Sequence, residues 1–370
     1  MSLTNFITEK VILPVSDIIT GQSVNKYFKF LMKSKNWTRA ELDNFQNQRL
    51  KMIIQHAYQQ VPYYHDLFNS LNLKPEDIQS KEDLQKLPIL TKAIIKKEGI
   101  DRFTAKNISS KKVVDGFSSG STGEPLFFKI TKESYSMAIA ANLRGWYSMG
   151  YRLGDKFVKV SVNPRSSFIK RLQDKMTNNL YLPSNPMTNE RLEHILEKIE
   201  RFKPKVIRWY SDPLIILAEL KNDNATKFKH IPDSINTTGN ILSPNDRKFI
   251  EEAFQCKIFD SYGCEGNSPV FECVTHDCYH SAEEYGISEI LNHDENVTDK
   301  GVGRLISTDL WNYAHPFIRY DTQDLIEIDD EKCKCGSNHL KVKRILGREN
   351  EVLLMPSGRK FIVHDFTGFF

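Results

Sequence analysis

A segment rich in glycine and hydroxyl side chains could hold a phosphate chain. It reads Ser118-Ser119-Gly120-Ser121-Thr122-Gly123-Glu124-Pro125 and precedes the apolar run Leu126-Phe127-Phe128. Glycines let successive backbone N–H groups converge on an anion, and serine and threonine hydroxyls add further donors. A solvated turn between two strands has the same composition. The segment therefore suggests an anion-binding loop but does not establish one alone.

The spacing within this segment excludes two common nucleotide-binding patterns. A Walker P-loop requires a lysine after the last glycine, and none follows Gly123. The G-x-G-x-x-G spacing of a dinucleotide fingerprint is absent as well.

A second chemical signal is a set of cysteines and histidines in two compact groups. The groups are Cys273-Val274-Thr275-His276-Asp277-Cys278-Tyr279-His280 and Cys333-Lys334-Cys335-Gly336. Disulfides are disfavoured in a cytosolic chain, whereas thiolate and imidazole are ligands of structural zinc. A site with two ligands from each group would staple two loops together.

We predict Cys273, His280, Cys333 and Cys335 as the zinc ligands. His276 or Cys278 could replace one member of the first pair, because spacing alone does not choose among them. Free thiols packed in loops are the alternative interpretation. Four protein ligands leave no open coordination position, so such a zinc ion would be structural.

The elements that must position these residues alternate along the chain. Apolar spacing predicts a helix over 38–60, capped by Thr38, and a second over 132–149. Later segments predict strands over 156–162 and 206–210, and helices over 190–202, 214–221 and 243–254. Ser243 and Pro244 form a typical helix start. Such alternation predicts an α/β fold in which helices flank parallel strands.

Further motifs follow the first segment in order. They are Thr237-Thr238-Gly239-Asn240, Tyr262-Gly263-Cys264-Glu265, Gly303-Arg304-Leu305-Ile306-Ser307-Thr308-Asp309, Arg319-Tyr320-Asp321-Thr322-Gln323-Asp324 and Gly347-Arg348-Glu349-Asn350-Glu351. Together with the glycine-rich segment, this series resembles the adenylate-forming superfamily of acyl-CoA and aryl-CoA ligases. The early motifs Gln59-Gln60-Val61-Pro62-Tyr63-Tyr64 and Leu87-Pro88-Ile89-Leu90-Thr91-Lys92 are similar to the phenylacetate-CoA ligase-like branch, which includes proteins associated with capsular polysaccharide biosynthesis. The resemblance covers nearly the whole chain.

The resemblance implies a nucleotide site. Residues 118–123 would hold the ATP phosphates, and Gly239 would lie at the nucleotide. Tyr262 and Gly263 would contact adenine, while Asp324 and Arg348 would bind the ribose.

The resemblance also implies the reaction. ATP would activate an aryl or acyl carboxylic acid as an acyl adenylate, and CoA is the expected acceptor. Glu265 would bind Mg²⁺ and would act with Thr122 as a catalytic residue. Related members bind zinc through a similar Cys/His and C-x-C-G pattern. Trp209-Tyr210-Ser211 would border the acyl pocket by analogy.

Several residues depart from the family pattern. Glu265 arrives one position early, Asn240 replaces a common glutamate, Gln323 replaces a glycine, and Glu351 replaces an aspartate. Family members continue into a small C-terminal domain, whose lysine contacts the reacting carboxylate and the α-phosphate, and we expect this domain to be truncated here. A noncatalytic or fragmentary relative, acting as a nucleotide-binding or assembly module in polysaccharide biosynthesis, is therefore the alternative function.

Length and composition predict the domain organisation. A chain of 370 residues with 40% hydrophobic content exceeds the usual size of one core. We expect a helical part of a large N-terminal domain over 1–110, its nucleotide- and acid-binding core over 111–346, and a hinge with the start of the C-terminal domain over 347–370. A small zinc-stapled β region would belong to the large domain.

The charge and apolar patterns predict small-molecule partners. A net charge of +4, from 51 basic and 47 acidic residues, does not indicate nucleic-acid binding. No segment approaches the roughly 20 apolar residues of a membrane span. No secretory signal is recognisable, so we expect a cytoplasmic protein. The oligomeric state is left open, and a homodimer is compatible with the sequence.

Overall fold

The computed structural model describes residues 2–117, 125–162, 168–224, 226–263, 269–348, 352–354 and 360–362. Its first part is helical. The helices are α1 (Leu3–Ile7), α2 (Leu13–Thr20), α3 (Val24–Ser34), α4 (Arg39–Gln60), α5 (Pro62–Ser70) and α6 (Lys92–Glu98), and a π-helical turn over Thr8–Ile12 joins the first two. None of the described helices is long and apolar enough to cross a membrane.

Helix α4 confirms the helix predicted over 38–60. The Thr38 side chain accepts the backbone N–H of Glu41, and the Glu41 carboxylate accepts the backbone N–H of Thr38. This reciprocal capping box satisfies donors that the first turn leaves open. Gln46 is buried and donates to the carbonyl oxygens of Glu283 and Gly286, at 3.0 and 2.9 Å. The helix is thereby anchored to the loop between two sheet strands.

In the described ranges, five further α-helices cover the sheet. They are α7 (Lys132–Ser148), α8 (Phe168–Met176), α9 (Asn189–Phe202), α10 (Ser211–Asp223) and α11 (Pro244–Phe254). The helices predicted over 132–149, 190–202, 214–221 and 243–254 are confirmed, and α10 begins three residues before its predicted start. Ser243 caps α11 by accepting the backbone N–H of Asp246, as its sequence predicts.

Eleven strands form one mixed sheet. In chain order they are β3 (Phe157–Ser161), β4 (Asn179–Pro183), β5 (Val206–Tyr210), β6 (Ser234–Thr238), β7 (Lys257–Tyr262), β8 (Val270–Glu272), β9 (Tyr279–Ser281), β10 (Gly286–Leu291), β11 (Gly301–Asp309), β12 (Tyr320–Ile328) and β13 (Lys341–Arg348). Their order across the sheet is β10-β11-β12-β13-β9-β8-β7-β6-β5-β3-β4. Two separate antiparallel hairpins pair β1 (Val113–Phe117) with β2 (Phe127–Thr131) and β14 (Val352–Leu354) with β15 (Lys360–Ile362).

The sheet has a parallel half and an antiparallel half. Strands β7, β6, β5, β3 and β4 pair in parallel, and both predicted strands belong to this half. The pairs from β10 across to β7 are antiparallel. The α/β class with flanking helices is confirmed. The antiparallel strands were not predicted, and β8 and β9 lie inside the large sheet rather than in a small region of their own. The domain boundaries at 110 and 346 stay predictions.

Helix α7 packs closely over the centre of the sheet. A Cβ atom on Gly145 of this helix would lie 2.3 Å from the Phe271 ring of β8. No larger residue would allow this contact without movement of the ring. The other end of α7 begins directly after β2, so the helix connects the first hairpin to the sheet. Helix α7 and the first hairpin both contribute residues to one cavity.

Candidate functional site

The carboxyl ends of three parallel strands meet at one edge of the sheet. Tyr210 of β5 pairs with Thr238 of β6, which pairs with Ser261 of β7. In open α/β sheets, ligands bind beyond this edge. Gly239 follows β6 with φ +87°, and a Cβ atom there would lie 2.6 Å from Cδ1 of Tyr210. Only glycine fits this position without strain. Because it follows β6, this predicted nucleotide contact lies at the strand ends.

Three predicted nucleotide-binding residues converge near the same edge. The Tyr262 hydroxyl donates to Oδ2 of Asp324 at 2.6 Å. Nε of Arg348 lies 3.7 Å from Oδ1 of Asp324, and the two residues are cross-strand partners on β12 and β13. A Cβ atom on Gly263, next to Tyr262, would meet no atom within 4 Å among the described residues. Among the described residues, no side chain therefore crowds the backbone next to Tyr262.

The remaining predicted nucleotide contacts lie outside the described residues. They are Ser118, Ser119, Gly120, Ser121, Thr122 and Gly123 of the glycine-rich segment, and Glu265. Their proposed roles, including catalysis by Thr122 and Glu265, stay predictions. The described neighbours Phe117 and Gly263 both line one cavity.

This cavity has a volume of about 420 Å³. Its apolar wall comes from the first hairpin, α7 and the segment after β11; its members include Phe117, Phe128, Ile130, Ala138 and Phe317. Thr238, Ser261 and Tyr262 border it at the strand ends. A concave space with an apolar wall on one side and polar groups on the other is typical of a small-molecule site.

The strand residues that line the cavity differ from the expected ones. Trp209, Tyr210 and Ser211 were predicted at the acyl pocket, but none of these three described residues lines the cavity. Side chains alternate along a strand, so Trp209 points away and packs in the core beneath α9 and α10. Arg208, which sequence reasoning missed, lines the cavity instead.

Asp309 connects the cavity to the first hairpin. Its Oδ1 accepts the backbone N–H groups of Trp311 and Asn312 at 2.6 and 2.9 Å, and its Oδ2 accepts the Tyr285 hydroxyl at 3.3 Å. The Asn312 side chain in turn accepts the backbone N–H of Thr131 and donates to the carbonyl of Lys129. Burial raises the pKa of Asp309 to about 6, although these hydrogen bonds favour its ionised form.

The predicted zinc ligands also come together. One ligand atom from each of Cys273, His280, Cys333 and Cys335 lies within 4.8 Å of all the others. Sγ of Cys273 is 3.7 Å from Sγ of Cys333, and Sγ of Cys335 is 3.2 Å from Nε2 of His280. Two thiolates sharing a tetrahedral zinc ion at about 2.3 Å would be about 3.8 Å apart. The donor set therefore fits structural zinc.

The structure distinguishes the two alternative ligands. Nδ1 of His276 is 3.0 Å from Oε1 of Glu272, and its ring packs on Phe259, so this imidazole is engaged elsewhere. Sγ of Cys278, in contrast, is 3.4 Å from Sγ of Cys333 and 3.9 Å from Nε2 of His280. Cys278 thus stays a candidate alongside the predicted four. All these cysteines are free thiols.

Comparison with known proteins gives relatives that match most of the chain. No protein-family model matches. The chain is 25% identical over 332 residues to a phenylacetate-coenzyme A ligase from Thermus thermophilus, covering 86% of this chain and 72% of the relative. It is 23% identical over 321 residues to protein CapK of Staphylococcus aureus, covering 85% and 69%.

A solved structure supports the same conclusion for the fold. A 2-hydroxyisobutyryl-CoA ligase in the postadenylation state superposes with a TM-score of 0.76 at 18% identity, covering 90% of this chain and 73% of the ligase. The chain has the fold of the acid-CoA ligases of the adenylate-forming superfamily. In sequence it is similar to phenylacetate-CoA ligases, in agreement with its motifs.

Proposed function

We propose that this protein activates a carboxylic acid with ATP as an acyl adenylate and transfers the acyl group to CoA. The convergence of Tyr262, Asp324 and Arg348 beside a cavity of suitable size carries this proposal. The phenylacetate-CoA ligase relatives support the acid and the acceptor. A structure of the 2-hydroxyisobutyryl-CoA ligase contains both 2-HIB-AMP and CoA, which supports the two-step reaction.

Activation overcomes the poor reactivity of a carboxylate. Its charge is delocalised and oxide is a poor leaving group, whereas an acyl adenylate can release AMP. The protein has to hold two anions together and stabilise the charge that develops between them. Polar groups at the strand ends are suited to orient the nucleotide, while the apolar cavity wall holds the acid away from water.

Asp324 is the proposed ribose-binding residue. A carboxylate can accept hydrogen bonds from two hydroxyls, and a guanidinium can donate to their oxygens. The Tyr262 hydroxyl holds the Asp324 carboxylate in one orientation, and Arg348 lies on its other oxygen. We propose that Tyr262 and Gly263 also face the adenine, with Gly239 at the nucleotide edge.

The phosphate contacts form a further part of the proposal. Residues 118–123 would donate backbone and hydroxyl hydrogen bonds to the phosphates, and Thr122 would act there in catalysis. Glu265 would hold Mg²⁺, which neutralises phosphate charge. Phe117 and Gly263, which precede these two segments in the sequence, line the cavity and so support these roles.

We also propose structural zinc, bound by Cys273, His280, Cys333 and Cys335. The ion would join the β8–β9 hairpin to the loop before β13. A polysaccharide-biosynthesis context, which the sequence resemblance implies, and a cytoplasmic location are further parts of the proposal.

Nucleotide binding and ATP–pyrophosphate exchange test the function. Exchange would be measured with a panel of aryl and acyl acids, and ATP affinity by calorimetry. Asp324→Asn should lower ATP affinity by roughly tenfold or more, since hydrogen bonds to charged groups are lost. Glu327→Gln, on the same strand but paired with Lys343 and Arg344, is the matched control. Absence of both acid-dependent exchange and ATP binding in the wild type would contradict the proposal.

A further inference from the structure

Arg208 is a positively charged group in the wall of the cavity. It lies on β5, and its Nε donates to Oδ1 of Asn236 at 2.9 Å. Its guanidinium carbon is 5.7 Å from the centroid of the Trp146 ring. Trp146 donates to the same Asn236 oxygen at 3.1 Å, and the Asn236 amide donates to the carbonyl of Phe259. The guanidinium is therefore held in place by neutral groups.

No carboxylate forms an ion pair with Arg208 in the part of the chain that the structure describes. The side chains beside its guanidinium include those of Asn236 and Trp146, and burial lowers the pKa of Arg208, opposed by Tyr210 rather than by a carboxylate. A guanidinium nevertheless stays protonated in proteins. Asp309 also lines the cavity, but its oxygens accept hydrogen bonds from Trp311, Asn312 and Tyr285 rather than from Arg208. A partly desolvated cation without an ion-pair partner favours an anionic ligand.

The register of the sheet shows how far Arg208 lies from the ends of the strands. Arg208 pairs with Asn236, whereas Tyr210 and Thr238, two residues further along, pair at the strand ends. Two residues of a strand span roughly 7 Å, so Arg208 lies about that far behind the edge. A carboxylate that reacts with a nucleotide must reach the edge. The guanidinium would therefore meet the opposite end of an acid that fills the cavity.

We propose that Arg208 binds a second anionic group at the far end of the acid substrate. The substrate class is then a dianionic acid, such as a dicarboxylate, whose apolar middle packs against Phe128, Ile130 and Phe317. The fork of N–H donors on arginine matches a carboxylate in geometry as well as charge. This inference rests on the proposed function, because it assumes that the reacting carboxylate lies at the strand ends.

Matched acids test the inference directly. Binding of phenylacetate and of 4-carboxyphenylacetate would be measured by calorimetry in the presence of a non-hydrolysable ATP analogue. Hexanoate and adipate form a second pair that differs in the same way. The wild type should bind at least one dianion more tightly than its partner. Arg208→Leu should weaken the binding of that dianion roughly 10- to 100-fold, because hydrogen bonds to a charged group are lost. The affinity for the monoanion should stay nearly unchanged.

Two further variants control for folding and surface charge. Arg208→Gln removes the charge while keeping a donor for Asn236, and it should reproduce the selective loss if the leucine variant unfolds. Arg201→Leu removes an exposed arginine near the end of α9 and should change neither affinity. Melting temperatures identify the folded variants.

The outcomes separate this inference from the proposed function. Three results would overturn the role of Arg208. They are equal loss of affinity for monoanion and dianion in the Arg208 variants, equal affinity of the wild type for both members of each pair, and binding of no acid. Arg208-dependent dianion binding without acid-dependent exchange would support the anion subsite while contradicting the ligase proposal. The remaining outcome is ATP–pyrophosphate exchange with monoanions that persists in Arg208→Gln, while the wild type shows no preference for dianions. This result would contradict the anion subsite and leave the ligase proposal standing.

Discussion

Tyr262 and Asp324 join the two halves of the sheet at the candidate site. Tyr262 ends β7 in the parallel half, whereas Asp324 lies on β12 in the antiparallel half. Their hydrogen bond of 2.6 Å, together with Arg348 at 3.7 Å from the other carboxylate oxygen, orients the Asp324 side chain. The position of this one side chain therefore depends on both halves.

Removal of the Tyr262 hydroxyl should weaken nucleotide binding. In Tyr262→Phe, Asp324 loses a donor that orients it, so we expect a loss of roughly 3- to 10-fold in ATP affinity by calorimetry. Tyr58→Phe, whose hydroxyl bonds Asn69 on the N-terminal helices, is the control and should bind normally. Unchanged affinity in Tyr262→Phe would mean that the hydroxyl does not position Asp324.

Asp309 should make stability depend on pH. Burial raises its pKa to about 6, so the folded protein holds this proton more tightly than the unfolded chain does. Its contribution to stability therefore grows as pH falls through about 6 and is lost as pH rises. When the pH rises from about 4 to about 8, the wild type loses this contribution and Asp309→Asn does not. The unfolding free energy of the variant should therefore rise relative to that of the wild type by on the order of 2 kcal/mol over this range.

Urea unfolding across this pH range measures the effect. The exposed Asp294→Asn is the control, and its curve should run parallel to that of the wild type. A parallel curve for Asp309→Asn would show that the buried carboxyl does not titrate in this range.

At the scale of elements, the candidate metal cluster links two stretches that are distant in sequence. The β8–β9 hairpin carries Cys273, Cys278 and His280, and the loop before β13 carries Cys333 and Cys335. The Cys333→Ser, Cys335→Ser double variant should lose the stoichiometric zinc that we expect in the purified wild type, and its melting temperature should fall. Elemental analysis measures the first effect and thermal unfolding the second.

A thiol elsewhere in the chain provides the control for this change. Cys256, which follows α11, is half-buried and lies outside the cluster, so Cys256→Ser should retain the metal. Retention of full zinc by the double variant would contradict the ligand assignment. A Cys278→Ser variant distinguishes the two remaining arrangements of the first group.

Local signals explain which elements the sequence predicted. Helix α4 has an apolar face and a capping box, and α11 begins with Ser243-Pro244, so both could be predicted from neighbouring residues alone. Strands β8 and β9 have three residues each, which is too short for a recognisable period. Their place in the sheet depends on pairing with β7 and β13, which local sequence does not encode.

The same distinction applies to the candidate site. Asp324 and Arg348 stand in short motifs with fixed spacing, so their convergence could be predicted. Arg208 stands alone in a strand of apolar residues, and a single polar residue there could equally face solvent. Only the packing of α7 over β5 and β6 shows that it faces a cavity. Residues chosen by tertiary packing are therefore the ones that sequence reasoning missed.

At the scale of the whole molecule, Glu284 joins the N-terminal helices to the sheet. Its carboxylate accepts hydrogen bonds from Ser34 of α3, from Arg144 of α7 and from His339 before β13. Burial opposes its ionisation, but the charge of Arg144 and the hydrogen bond from His339 hold the pKa of Glu284 well below its usual range. The stability it provides is therefore fully present at neutral pH.

Neutralising this carboxylate should destabilise the entire fold. Glu284→Gln leaves the nearly buried Arg144 without a counter-charge, which generally costs about 3 kcal/mol or more. Urea unfolding at neutral pH should show this loss. Glu197→Gln breaks the exposed ion pair with Lys227 and should have little effect. Similar behaviour of the two variants would contradict the role of Glu284.

The first hairpin has a consequence for substrate selection. Its strands flank residues 118–124 on both sides, and Gly116, Phe117, Phe128 and Ile130 of the same strands line the cavity. An acid in the cavity would thus touch the chain that leads directly into the proposed phosphate loop. Coupling between two sites is reciprocal, so an acid that tightens ATP binding must itself be tightened by ATP to the same degree. Discrimination among acids would then be measurable as differences in the affinity for ATP.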